Sequence, residues 1–153
     1  MIVPAEGDFR LDREADTARL GAAIAAELKR REAVCLSGPL GAGKSSLARG
    51  LIRALTGERT EAPSPTFTLV QTYETRSFPL AHFDLYRLGS PDEAFELGLD
   101  EALDDGAAVI EWPERLGHHL PADRLDVELV IAGAARRARL TPHGAWEGRA
   151  LEF

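Results

Sequence analysis

Gly38-Pro39-Leu40-Gly41-Ala42-Gly43-Lys44-Ser45 decides the reading of this chain. It fills every defined position of G-x-x-x-x-G-K-[ST]. Glycines let the backbone curl until successive N–H groups point inward at phosphate oxygens. A helix starting at such a turn aims the positive end of its dipole at the same anion. Lys44 adds a full charge, and Ser45 offers a hydroxyl to a Mg²⁺ ion. The flanks agree with a strand–loop–helix unit. Ala33–Ser37 is a short apolar run, read as a buried strand. Lys44–Thr56 reads as a helix with Leu47, Leu51 and Leu55 on one face, and Gly57 is its natural stop. Lys44 is one of only two lysines among 18 basic residues, so lysine stands where the motif requires it.

Outward from the loop, Leu20, Ile24 and Leu28 recur every four residues and predict a helix over 12–30, with Asp12 as its N-cap. Residues 58–66 are polar and read as a loop. Phe67–Tyr73 and Phe78–Tyr86 predict two strands joined by Glu74–Ser77. Ser90-Pro91-Asp92-Glu93 carries the signature of a helix start, and a helix should run to about Leu103 with a Phe95, Leu99, Leu103 core stripe. Ala107–Ile110 is an apolar strand ending at Glu111. Asp126–Ala132 and Arg136–Thr141 predict a hairpin around Gly133 whose second strand wets Arg137 and Arg139. Strands alternating with helices, then strand pairs, give an α/β domain. The expected fold is a three-layer, phosphate-loop NTPase-like domain with a mixed, mainly parallel sheet and antiparallel strand pairs.

Composition bounds the rest. The 153 residues suit a single domain over 1–153, and 44% apolar with 28% charged residues is ordinary for a globular chain. No apolar run approaches the roughly 18 residues of a membrane span, and no secretory signal pattern opens the chain, so a cytoplasmic location is expected. Net charge is −7, which disfavours a domain that grips nucleic acid by itself. The chain contains no Asn, so the Asn-Lys-x-Asp guanine reader of GTPases is excluded.

A nucleotide site also needs a carboxylate to hold its metal, usually at the end of an apolar strand. Asp84 follows Leu80-Ala81-His82-Phe83, and Glu111 follows Ala107-Ala108-Val109-Ile110. Spacing assigns neither to Mg²⁺ in preference to water. Ser64-Pro65-Thr66 occupies the region where nucleotide switches carry a γ-phosphate-sensing hydroxyl, although the same spacing suits a plain proline turn.

Four segments then coincide in order: Leu40–Ser45, Ser64-Pro65-Thr66-Phe67-Thr68-Leu69-Val70, His82-Phe83-Asp84-Leu85-Tyr86-Arg87-Leu88 and Ile110-Glu111-Trp112-Pro113-Glu114. The chain resembles the bacterial tRNA threonylcarbamoyladenosine biosynthesis ATPase family (TsaE, formerly YjeE) over about residues 10–140. The resemblance implies a small ATPase that supports threonylcarbamoyl transfer to adenosine 37 of tRNA. It would bind the transferase TsaD and its paralogue TsaB, and hydrolyse ATP to reset that complex. tRNA would be met only through those partners. By position, Pro39, Leu40, Gly41, Ala42, Gly43, Lys44, Ser45 and Ser46 would cradle ATP, with Trp112 and Arg136 near it. Ser45 and Glu111 would ligate Mg²⁺. Lys44, Asp84, Thr66 and Glu111 would act around the γ-phosphate and attacking water. Arg136 follows Ala135 where the family has glycine, Pro39 replaces a usual acidic residue, and Ser45 replaces the commoner Thr.

Other residues read as structural. Cys35 is a small buried apolar residue, and His118 and His119 are solvated loop histidines. His82, inside an apolar strand, is a satisfied structural histidine and not a base. Two rival functions share the phosphate loop. One is a small-molecule kinase, with Arg115 and Arg124 as the only lid candidates. The other is a nucleotide-sensing adaptor that binds without hydrolysis.

Overall fold

The computed structural model describes residues 1–57, 61–63 and 69–153. Its strands and helices follow in the order β1 (Ile2–Pro4), β2 (Gly7–Leu11), α1 (Glu14–Glu27), β3 (Ala33–Ser37), α2 (Lys44–Thr56), β4 (Val70–Glu74), β5 (Pro79–Asp84), α3 (Glu93–Glu96), α4 (Leu99–Asp105), β6 (Ala107–Glu111), β7 (Arg124–Ala132), β8 (Ala135–His143) and β9 (Ala150–Glu152). 3₁₀ segments follow β6 and β8: Pro113–His119, kinked at Gly117, and the single turn Gly144–Trp146.

Seven strands form one sheet in the order β2-β8-β7-β3-β6-β5-β4. The middle four, β7, β3, β6 and β5, run parallel, while β2, β8 and β4 join antiparallel at the margins. β3 is central, and the first four of its five residues, Ala33–Leu36, are all buried, as a strand covered on both faces must be. Alternation splits them between two cores. Val34 and Leu36 face α1 and α2, with Val109, Leu125 and Leu129. Ala33 and Cys35 face α4 and the 3₁₀ segment, with Phe83, Ile110, Leu99 and Leu116. This is the expected three-layer arrangement. Each fully buried leucine or valine contributes about 1.5–3 kcal/mol, so the two faces fix the strand order firmly.

Several elements depart from the sequence reading. Helix α1 starts at Glu14, not at Asp12. The chain is still paired through Leu11 to Arg136 of β8, and Asp12 is drawn to Arg10 at 2.6 Å. Asp16 takes over the cap by accepting from the Arg13 N–H. The first eleven residues, given no element from sequence, supply two strands, and β1 pairs with β9 at the other terminus. The helix foreseen through Leu103 breaks at Gly98, which takes a left-handed φ of 84°. Its start also shifts: Glu93 reaches back to the Gly89 N–H at 3.2 Å, not to Ser90. The break turns Phe95 outward to 42% exposure, while Leu99 stays buried, so the stripe is not continuous core. The predicted strand pairs are present as β4–β5 and β7–β8, except that β4 begins at Val70 and Phe67 and Thr68 of the expected strand lie outside the described residues; Arg137 and Arg139 are exposed, with Ala138 and Leu140 buried.

Candidate functional site

The site lies at the C-terminal ends of β3, β5 and β6, where the strand order reverses around β3. Open parallel sheets leave a crevice at such a point. Four features build it. First, the chain leaves β3 through Gly38, whose φ of 133° brings its Cα against β7. A Cβ there would lie 2.2 Å from the Leu129 carbonyl oxygen, so only glycine lets the loop pass. The Pro39 carbonyl then accepts from the Ala42 N–H at 3.2 Å, closing the turn. Second, Gly43 caps α2 in a left-handed conformation, φ 109°, and brings no capping side chain. First-turn N–H groups of a helix have no intrahelical acceptor, so this end is open to an anion.

Third, Lys44 is held beneath the loop and is only 6% exposed. Its ammonium donates to the Gly38 carbonyl at 2.5 Å and sits 3.8 Å from the centre of the Trp112 ring. Burial lowers its pKa, against the opposing pull of Glu111, Glu114 and Asp84. Trp112 reaches this position because its backbone is left-handed, φ 62°, an uncommon state for a non-glycine residue. Its ring also packs on Tyr86 with centroids 5.0 Å apart. Fourth, parallel pairing sets Asp84 of β5 opposite Glu111 of β6, and Leu36 of β3 opposite Glu111 from the other side. Glu111 is buried and bound through Oε2 to His82 Nε2 at 2.7 Å. Asp84 is half-buried and accepts from the Tyr86 N–H at 3.1 Å. Burial pushes its pKa up, the Tyr86 N–H lowers it, and the Glu111 charge raises it further.

These groups line one cleft of about 450 Å³, together with Leu40, Gly41, Gly43, Ser45 and Ser46. Arg136 also lines it, and its Nε donates to the Gly41 carbonyl at 3.2 Å. The structure therefore brings together most of the residues singled out from sequence. Pro39 and Ala42 do not line the cleft: Pro39 sits exposed at the rim, and Ala42 is fully buried in the core. Ser46 lines it, but its hydroxyl is engaged with Glu14 at 2.9 Å. Thr66 lies outside the described residues.

The sequence reading missed one wall. Leu11, Asp12, Arg13, Glu14 and Thr17, at the junction of β2 and α1, line the cleft with Ala134 of the β7–β8 turn. They reach it only because β2 adds to β8, which no local pattern announces. His82 was read as a satisfied core histidine. It is buried, but its ring is spent on Glu111, and Nδ1 has no partner among the described residues.

Other residues behave as their types suggest. Cys35 is buried, and burial raises its thiol pKa far above the usual range, with Asp126 adding to the effect. His118 is exposed as expected, but both histidines sit in the 3₁₀ segment and not in a loop, and His119 is partly buried, paired with Asp92 at 3.1 Å and packed on Phe95. Among the described residues no group of three or more His, Cys, Asp or Glu is placed to hold a metal by itself. None of the helices there is long and apolar enough to cross a membrane.

Residues 11–139 match the family described as "Threonylcarbamoyl adenosine biosynthesis protein TsaE". The chain is 44% identical over 127 residues to the "tRNA threonylcarbamoyladenosine biosynthesis protein TsaE" of Rickettsia bellii, covering 83% of this chain and 88% of that protein. It is 40% identical over 134 residues to the protein of the same name from Mycobacterium bovis, covering 80% and 78%. Among solved structures, Bacillus subtilis YdiB superimposes with a TM-score of 0.75 at 29% identity, over 94% of this chain and 88% of that one.

Proposed function

Because the chain belongs to the threonylcarbamoyl adenosine biosynthesis protein TsaE family, we propose that it is an ATP hydrolase serving the N6-threonylcarbamoyladenosine modification of tRNA adenosine 37. The observation that carries the ATPase part is the convergence of Lys44, Asp84 and Glu111 on the cleft at the mouth of the phosphate loop. Gly41, Gly43 and the first turn of α2 offer backbone N–H groups to the phosphates. Lys44 exchanges the Gly38 carbonyl for phosphate oxygens, and its charge offsets the charge building on the leaving diphosphate.

The donor set also fits Mg²⁺. A serine hydroxyl and a carboxylate, Ser45 and Glu111, line the same cleft, and both are hard oxygen donors of the kind Mg²⁺ takes one or two at a time. When bound there, the ion supplies charge neutralisation at the phosphates. Asp84 is the better candidate to orient water. Its carboxylate is half-buried and, among the described residues, bonded only to the Tyr86 N–H, whereas Glu111 is already fixed by His82. Thr66 joins the same machinery on the strength of its motif. Trp112 and Arg136 flank the nucleotide.

The partners in this reading are TsaD and TsaB, and ATP turnover resets their complex in the cytoplasm. The net charge of −7 supports contact with tRNA only through them. The test is ATP hydrolysis by the purified protein, alone and with TsaD and TsaB, beside a Lys44→Ala control. Slow turnover alone, a rise with partners and loss in the control are expected. Binding without hydrolysis under both conditions refutes the hydrolase and leaves the adaptor. Phosphate transfer to a small acceptor in place of water points to the kinase.

A further inference from the structure

We propose that His82 is a positioning residue for Glu111: its Nε2–H fixes the carboxylate so that it presents itself to a divalent cation in the cleft. The proposal rests on the reading of Glu111 as a Mg²⁺ ligand. β5 and β6 run parallel, with His82 beside Val109 and Asp84 beside Glu111. His82 and Asp84 are two residues apart on one strand and share a face. One short stretch of β5 therefore delivers both a free carboxylate and the group that holds its neighbour.

The tautomer follows from the surroundings. A carboxylate only accepts, so Nε2 must carry the proton in the 2.7 Å contact to Glu111 Oε2. Nδ1 has no partner among the described residues, although the ring is 1% exposed. A histidine kept for packing alone would be replaceable by an apolar side chain without that unpaired nitrogen. The polar function of this ring is directed at Glu111 and nowhere else among the described residues. Glu111 needs it. A buried carboxylate without a donor turns toward whatever cation is nearest, and Lys44 lines the same cleft. Holding Oε2 on His82 keeps Glu111 from being captured by the lysine that the phosphates require. Carboxylate ligands of metals are held in this way by groups behind them, and loss of such a group typically weakens metal binding by about 10–100-fold.

The experiment measures ADP binding by calorimetry across a Mg²⁺ series and in EDTA. It compares the wild type with His82→Leu, His82→Gln and Glu111→Gln. Glutamine ends near the position of Nε2 and retains a donor, whereas leucine keeps volume alone. His82→Leu should raise the Mg²⁺ concentration for half-maximal tightening by about 10–100-fold while its affinity in EDTA stays near wild type. His82→Gln should recover most of the loss. Should His82→Leu fail to fold, His82→Asn replaces it, since its amide ends where Nδ1 and Cδ2 lie and stops short of Glu111. The proposal is overturned if the variant with no donor within reach of Glu111 keeps the wild-type Mg²⁺ midpoint. It is equally overturned if His82→Gln shifts as far, or if affinity falls alike with and without metal, as a merely structural role would give. A Mg²⁺-dependent wild type with an unaffected Glu111→Gln instead removes the Glu111 reading itself.

Discussion

Gly38 and Gly41 both have positive φ in the phosphate loop, 133° and 81°, but only one of them is pressed against another strand. A Cβ at Gly38 would lie 2.2 Å from the Leu129 backbone oxygen, whereas one at Gly41 would meet nothing within 4 Å. Gly38→Ala and Gly41→Ala therefore separate two costs. Alanine at either position takes on backbone strain of about 1–3 kcal/mol. At Gly38 it must also push apart β7 and the loop, neither of which is a side chain that can swing away. Overpacking of that kind costs about a further 1–3 kcal/mol. For a domain of this size 1 kcal/mol moves Tm by about 2–4 °C, so Gly38→Ala should melt about 2–12 °C below Gly41→Ala. Thermal unfolding followed by circular dichroism reads the difference. Turnover adds a second arm. Gly38 also carries the carbonyl that holds Lys44, so a loop displaced by about 1 Å should lower ATP hydrolysis by roughly 100-fold. A Gly38→Ala protein as stable as Gly41→Ala would refute the claim that close approach to β7, and not φ alone, demands glycine there.

Arg149 and Glu32 form a two-pronged ion pair, with contacts of 2.7 and 2.5 Å and side chains 14% and 6% exposed. Arg149→Met leaves a buried carboxylate without its counter-ion, though Oε1 still accepts from the Lys29 N–H at 3.0 Å. This should cost about 3–5 kcal/mol in urea unfolding while nucleotide binding is spared; a loss below about 1 kcal/mol contradicts the burial argument. Asp84 has a raised pKa in the metal-free protein, so its neutral form favours folding. That contribution is complete below the carboxyl's ordinary pKa and is lost as pH rises through the raised value. Asp84→Asn should therefore raise Tm at neutral pH, gain little in acid and abolish turnover; equal gains at both pH values count against it. Cys35, buried with its thiol pKa raised, should resist thiol reagents in the folded protein and react after urea unfolding. Rapid labelling under native conditions would contradict its placement in the core.

The phosphate loop, its strand and its helix were legible because they are local. Ala33–Ser37 and Lys44–Thr56 are set by an uninterrupted apolar run, a 3.6-residue stripe and glycines at fixed offsets, and the observed bounds coincide with the expected ones. Asp84 and Glu111 were legible for a similar reason, since each closes an apolar run. Their meeting was not. It depends on β5 pairing with β6 in a register that sets them opposite each other. The β2–α1 wall of the cleft, the turn of Trp112 over Lys44 and the bond from His82 to Glu111 likewise come from strands and loops far apart in sequence. Gly98 shows the converse. A helical stripe ran through it, and the left-handed backbone there ended α3 and turned Phe95 to solvent. Residue type and spacing determined which groups could do chemistry. Strand order and register, fixed by burial on both faces of the sheet, decided which of them share a cleft, because pairing partners are chosen by the whole core and not by neighbours along the chain.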